Sequence, residues 1–120
     1  MVNTTGFLTT IKTAVKTSVT TNGTHIAVGT DNTTPVVGDT TLGAEVIRKA
    51  LQESTTGTSD VILSFFLNST EANGSDLVEV GLFDASSSGN LLEREVYTSI
   101  TKNSSTEVWM DIEEQITVTQ

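Results

Sequence analysis

The chain has 120 residues, enough for one domain around one core, so a single domain over residues 1–120 is expected. It carries no cysteine and a single histidine, which excludes disulfides and leaves zinc without its usual ligands. Six basic residues against fifteen acidic ones give a net charge of −9, a surface that repels phosphate and argues against nucleic-acid binding.

The acidity also serves solubility, and with few lysines and many threonines it suits a high-salt environment, such as that of a halophilic archaeal host. No stretch reaches the roughly 20 apolar residues of a membrane-spanning helix, and no basic region followed by an apolar run marks a signal peptide. The expectation is a protein made in a cytoplasm, without a membrane partner.

Taken in chain order, the first segment reads as an amphipathic helix. Phe7, Leu8, Ile11, Ala14, Val15 and Val19 recur at spacings of three and four. Asn3, Thr4 or Thr5 caps it, and Asn22-Gly23 ends it. His25 to Gly29 is short, apolar and closed by glycine, which predicts a strand. Thr30 to Thr40 is a loop with Pro35 as its stiff point. Thr41 to Lys49 predicts a second short helix, with Asp39 or Thr40 as cap and Leu42, Val46 and Ala50 facing inward. Ser54 to Ser59 reads as a polar turn.

Four strands follow. Asp60–Asn68 and Leu77–Ala85 are apolar on both faces and belong in covered, central places. Leu91–Thr101 comes next. Glu107–Val118 alternates, with Val108, Met110, Ile112, Ile116 and Val118 on one face. Glu114 interrupts that apolar face, and Trp109 interrupts the polar one, where it marks either a contact surface or packing beneath a loop or helix. Turns recur every ten or so residues, Asn73-Gly74 among them. The expected fold is mainly β with two short helices: an antiparallel, sandwich-like sheet with an N-terminal helix and a short helix after the first strand.

Catalysis has little to work with. A serine triad would have to run through His25, which sits at the start of an apolar strand without a nucleophile elbow. Asp31, Asn32 and Asp39 flank one loop, and Glu71, Asn73 and Asp76 another, but neither has EF-hand spacing, and solvated acidic loops are the simpler reading. The expectation is no enzyme and no cofactor. Six of the seven asparagines, Asn3, Asn22, Asn32, Asn68, Asn73 and Asn103, begin an Asn-x-Ser/Thr triplet, where chance gives roughly two. They are candidate glycosylation sites, against the plainer reading that polar loops gather these residues together.

Two blocks carry a resemblance. Val28-Gly29, Thr33-Thr34-Pro35, Asp39-Thr40-Thr41-Leu42 and Glu45-Val46-Ile47-Arg48 stand in the run from His25 to Leu51. Glu79-Val80-Gly81-Leu82-Phe83-Asp84-Ala85, then Gly89-Asn90-Leu91-Leu92-Glu93-Arg94, form the second block. In this order the segments resemble a widespread family of tailed-phage structural proteins described as tail fibre, tail-collar or baseplate-associated proteins.

The resemblance implies a virion location, other virion proteins as partners and a homo-oligomer. The larger members use such a module as the base of a fibre. With no repetitive shaft or receptor-binding tip here, it implies an adaptor, a baseplate or collar piece, or a capsid decoration or vertex turret. A carbohydrate-binding β-sandwich is a further alternative, for which only Trp109 and Tyr97 offer aromatic platforms. Interface candidates are Phe7 and Ile11 of the first helix, Thr33, Pro35 and Asp39 of the loop, Glu45 and Arg48 of the expected second helix, and Trp109. Glu45 and Arg48 would pair along one helical face, or Arg48 with Glu79 across elements. Charge reversal at Arg48 is expected to impair assembly more than folding. Gly29 and Gly81 would permit a close approach that a side chain would block.

Overall fold

A computed structural model describes residues 5–57 and 59–115, with side chains from Thr13 onward. These residues form one helix, α1 (Thr5–Asn22), and seven strands: β1 (His25–Gly29), β2 (Glu45–Ala50), β3 (Glu53–Thr56), β4 (Asp60–Leu67), β5 (Ser75–Phe83), β6 (Leu91–Lys102) and β7 (Val108–Gln115). All pairings are antiparallel. A four-stranded sheet has the order β2-β1-β5-β6, and a three-stranded sheet the order β3-β4-β7.

The core lies between the sheets. Ile26, Val28, Leu77, Val80 and Leu82 of the larger sheet meet Val61, Leu63, Phe65, Leu67 and Val108 of the smaller one. Burying each large side chain contributes about 1.5–3 kcal/mol, so the apolar run of β4 alone is a strong fold signal. β1, β5 and β4 hold the central places, as their apolar character requires. A smaller cluster of Ala27, Leu42 and Phe83, with Leu91 against it, sits on the outer face of the larger sheet.

The helix ends where Asn22-Gly23 predicts, with the Gly23 amide donating to the Val19 carbonyl at 2.7 Å. Val19 packs against the main core. The Phe7 and Ile11 side chains, and Asn3, Ile116 and Val118 altogether, lie outside the described residues.

The second helix is not there. Residues 30–44 follow an irregular path, and Glu45–Ala50 is strand β2, an edge strand on β1. Leu42, Val46 and Ala50 have helical spacing, but Val46-Ile47 is β-branched, Gly43 weakens any helix, and the β1 edge offers a ladder of hydrogen bonds. The expected turn Ser54–Ser59 likewise contains most of β3, which is exposed throughout and so has no apolar alternation to announce it. The fold is therefore sandwich-like and mainly β, with one helix among the described residues.

Candidate functional site

Four residues stand in one row across the outer face of the larger sheet. Arg48 pairs with Ala27, Ala27 with Gly81, and Gly81 with Arg94. The two small residues leave a trough between the two arginines. The loop 30–44 lies over it, with Leu42 packed on Ala27 and Phe83. A Cβ on Gly81 would stand 2.7 Å from Leu42 Cδ2, and one on Gly29 would stand 2.9 Å from the Ala44 carbonyl carbon. Both glycines thus give the close approach the sequence suggested.

Glu79, fully buried on β5, ties the loop down. Its carboxylate accepts from the amides of Asp31 at 3.3 Å, Gly43 at 3.0 Å and Ala44 at 2.8 Å, and from Arg94 Nε at 2.9 Å. Arg94 fans out from there. Its Nη1 donates to the Thr33 carbonyl at 2.9 Å and to Asp39 Oδ2 at 3.3 Å, and its Nη2 to the Asp31 carbonyl at 3.2 Å. Burial works against the Arg94 charge, but the carboxylates of Glu79 and Asp39 outweigh it and hold the guanidinium above its usual pKa. A buried charge is tolerable here because it is paired and its donors are used.

The rest of the loop is built from short polar turns. Asp31 Oδ1 accepts from the Thr33 amide at 2.8 Å and hydroxyl at 2.7 Å, and the hydroxyl bond is the largest reason its pKa lies low. Asp39 is not a helix cap. It accepts from the Val36 amide at 3.0 Å, and its own amide donates to the Val36 carbonyl at 3.0 Å. Pro35, Val36, Val37 and Gly38 form the tip of this anchored loop. Val36 is 63% exposed and Val37 fully exposed.

Thr33, Pro35, Asp39, Glu45 and Arg48 therefore gather on one face, but not all at the surface. Glu45 and Arg48 do pair, at 2.7 Å, though through a β-bulge between Val28 and Gly29's partners rather than along a helix. Arg48 does not reach Glu79, whose partner is Arg94. Its side chain is 9% exposed, lies 3.5 Å from the Phe83 ring centroid, and donates to the Ala85 and Ser88 carbonyls. That is a fastening inside the fold. Trp109 sits apart, on the outward face of the smaller sheet. It is 52% exposed and pairs in register with Phe66 at 5.7 Å between ring centroids.

Asn22, Asn32, Asn68, Asn73 and Asn103 are all exposed. Two of the triplets have a structural task. Asn68 Oδ1 accepts from the Thr70 amide at 2.8 Å, and Asn103 Oδ1 from the Ser105 amide at 2.8 Å, so each closes an Asx turn. Asn73 Oδ1 accepts from Lys102 Nζ at 2.9 Å, a lysine that is itself fully buried.

The residues reasoning from sequence missed are Glu79 with Arg94, and Val36 with Val37. A lone carboxylate in the apolar run Leu77–Phe83 was the available signal for the first pair. His25 is partly buried, its Nδ1 2.8 Å from the Thr24 hydroxyl. Among the described residues no three metal-ligating side chains cluster, and no helix is long and apolar enough to cross a membrane. Neither family models nor curated proteins give a match to this chain.

Proposed function

We propose that the chain is a non-enzymatic structural component of a tailed virus particle, and that the loop Asp31–Asp39 seats it on a neighbouring virion protein. The observation that carries the reading is the tip: Val36 and Val37 stand in water on a loop pinned by the buried Glu79–Arg94 pair. Adjacent exposed valines are costly to hydrate and gain by being covered. A loop already fixed by its own hydrogen bonds loses little entropy on docking, so it suits an attachment point. The same loop lies within the run that resembles tail fibre, tail-collar and baseplate proteins. The particle assignment rests on that resemblance; the docking role rests on the tip.

The test is the mass of the purified protein by light scattering, in dilute buffer and in molar salt, beside a Val36→Ser/Val37→Ser variant. Both side chains are solvated, so the variant should keep its fold. A trimer or hexamer that the variant dissociates supports a place on the tail axis. A pentamer moves the assignment to a capsid decoration or vertex turret. An oligomer that the variant leaves intact removes the loop as the contact. A monomer in both buffers makes the partner a different protein.

A further inference from the structure

The two sides of the sandwich are closed differently. On the β2/β3 side the chain crosses between sheets at Leu51-Gln52, and Lys49 Nζ spans the gap to the Phe66 carbonyl and Glu71, each at 2.7 Å. On the other side β6 and β7 are both sheet edges, and no ion pair of the described residues joins them. A hollow of about 390 Å³ lies where α1, through Ser18, Val19 and Asn22, meets this side, and one of about 400 Å³ runs between β6 and β7; the two meet at Glu93. Leu82 lines the first, and Val80, Met110 and Ile112 the second.

The charges on this side are in unusual places. Glu93 and Glu95 pair with Leu82 and Val80, which face the core, so carboxylates stand on β6 where the core pattern calls for apolar residues. Glu114 takes the matching place on β7, in line with Met110 and Ile112. None of the three belongs to an ion pair of the described residues. One buried polar atom beside each hollow, Glu114 Oε1 and Tyr97 Oη, has no hydrogen-bond partner among the described residues. Buried orphans of this kind need an explanation, and a missing partner is one.

We propose that this groove is a second docking surface, which takes an extended segment of another protein whose inward face, every second residue, sets Lys or Arg between apolar residues. The free edge of β6 offers backbone groups for strand addition, the hollows take apolar side chains, and Glu93 and Glu95 select the cations. A second copy of this chain does not fit. Two β6 strands side by side would bring Glu93 and Glu95 against like charges, in a protein whose net charge is already −9. Glu93 also lines a hollow with Pro35, Val36 and Val37, so this surface adjoins the loop tip across β6, but the inference does not depend on the virion reading. The competing explanation is that inward-pointing acids only guard an edge against pairing, and it expects no ligand at all.

The experiment is fluorescence anisotropy with a short labelled peptide repeating valine-threonine-lysine-threonine, which as a strand sets valine and lysine on one face, added to the full chain at low salt. Saturable binding is expected. Glu93→Gln/Glu95→Gln should weaken it roughly tenfold, while Glu53→Gln/Glu107→Gln, at exposed acids elsewhere, should leave it unchanged. The same peptide with its central valines replaced by proline should not bind. Equal weakening by both double variants would overturn the proposal, as would tight binding of the proline peptide. No binding of the first peptide would leave edge protection as the explanation. Thermal melts of each variant separate lost binding from lost fold.

Discussion

Arg94 Nε donates to Glu79 Oε2 at 2.9 Å, and both side chains are buried, with Glu79 0% and Arg94 5% exposed. Arg94→Met would strand a buried carboxylate with only backbone amides for company. The expected loss is about 3–5 kcal/mol in urea denaturation, because the uncompensated charge must be protonated or dragged into solvent. Arg94→Lys should recover only part of it. One ammonium cannot reach Glu79, Asp39 and two carbonyls that a planar fork serves together. A near-neutral Arg94→Met would mean the loop holds itself.

The two glycines beneath the loop should respond unequally to a methyl group. At Gly81 the new Cβ meets Leu42 Cδ2 at 2.7 Å and Leu91 Cδ1 at 3.0 Å, ends of side chains that can turn away. At Gly29 it meets the Ala44 backbone and the Glu79 carboxylate, which cannot. Both alanine variants should be less stable, by about 1–3 kcal/mol for Gly81→Ala and more for Gly29→Ala. The reverse order in melting temperature would show that the loop backbone is free to lift.

Arg48→Glu is now expected to damage the fold before assembly. The reversed charge would face the Ala85 and Ser88 carbonyls, the Phe83 ring and Glu45. A loss of about 3 kcal/mol or more follows from burying an unpaired carboxylate. A variant that melts like the parent but fails to assemble would return Arg48 to the surface role its sequence context suggested.

Much of the sheet was legible from the apolar pattern alone. β4 and β5 are apolar on both faces because they are central, and β7 shows its two faces residue by residue, down to the intrusions of Glu114 and Trp109. β2 was not legible, because an edge strand under a loop has no clean alternation, and Leu42, Val46 and Ala50 happen to share a helical spacing. The candidate site was half legible. Its loop, Pro35, Asp39 and the two glycines were in view. The partner of Glu79 was not, because choosing Arg94 over Arg48 depends on which strands are neighbours, and register across a sheet is tertiary information. The Asn-x-Ser/Thr excess illustrates the same limit: the triplets at Asn68 and Asn103 close turns, a role no count of triplets can separate from modification.

Stability should fall at both ends of the pH scale, for different residues. At the acid end, Asp31, Glu71 and Asp84 all lie below their ordinary values, chiefly through bonds from the Thr33 hydroxyl, the Lys49 ammonium and the Asn90 amide. Their contribution is whole above the ordinary values of 3.8 and 4.5 and is lost as pH falls through the lowered ones. Glu114 opposes them. Burial raises its pKa, so it favours the fold in acid and ceases to do so as pH rises through its folded value. At the alkaline end, burial, with the Glu79 charge added, pushes the Tyr97 phenol up to about 12 from 10.0. The fold prefers the neutral phenol, so this contribution is whole below pH 10.0 and lost as pH rises toward 12. Tyr97→Phe should abolish that alkaline loss. It should cost little near neutrality, because the hydroxyl has no hydrogen-bond partner among the described residues to lose. Urea midpoints of the parent and the variant at neutral pH and at about pH 11 decide the matter. A parent midpoint that holds steady between them, or a variant that falls in parallel with the parent, would place the alkaline weakness in some group other than Tyr97.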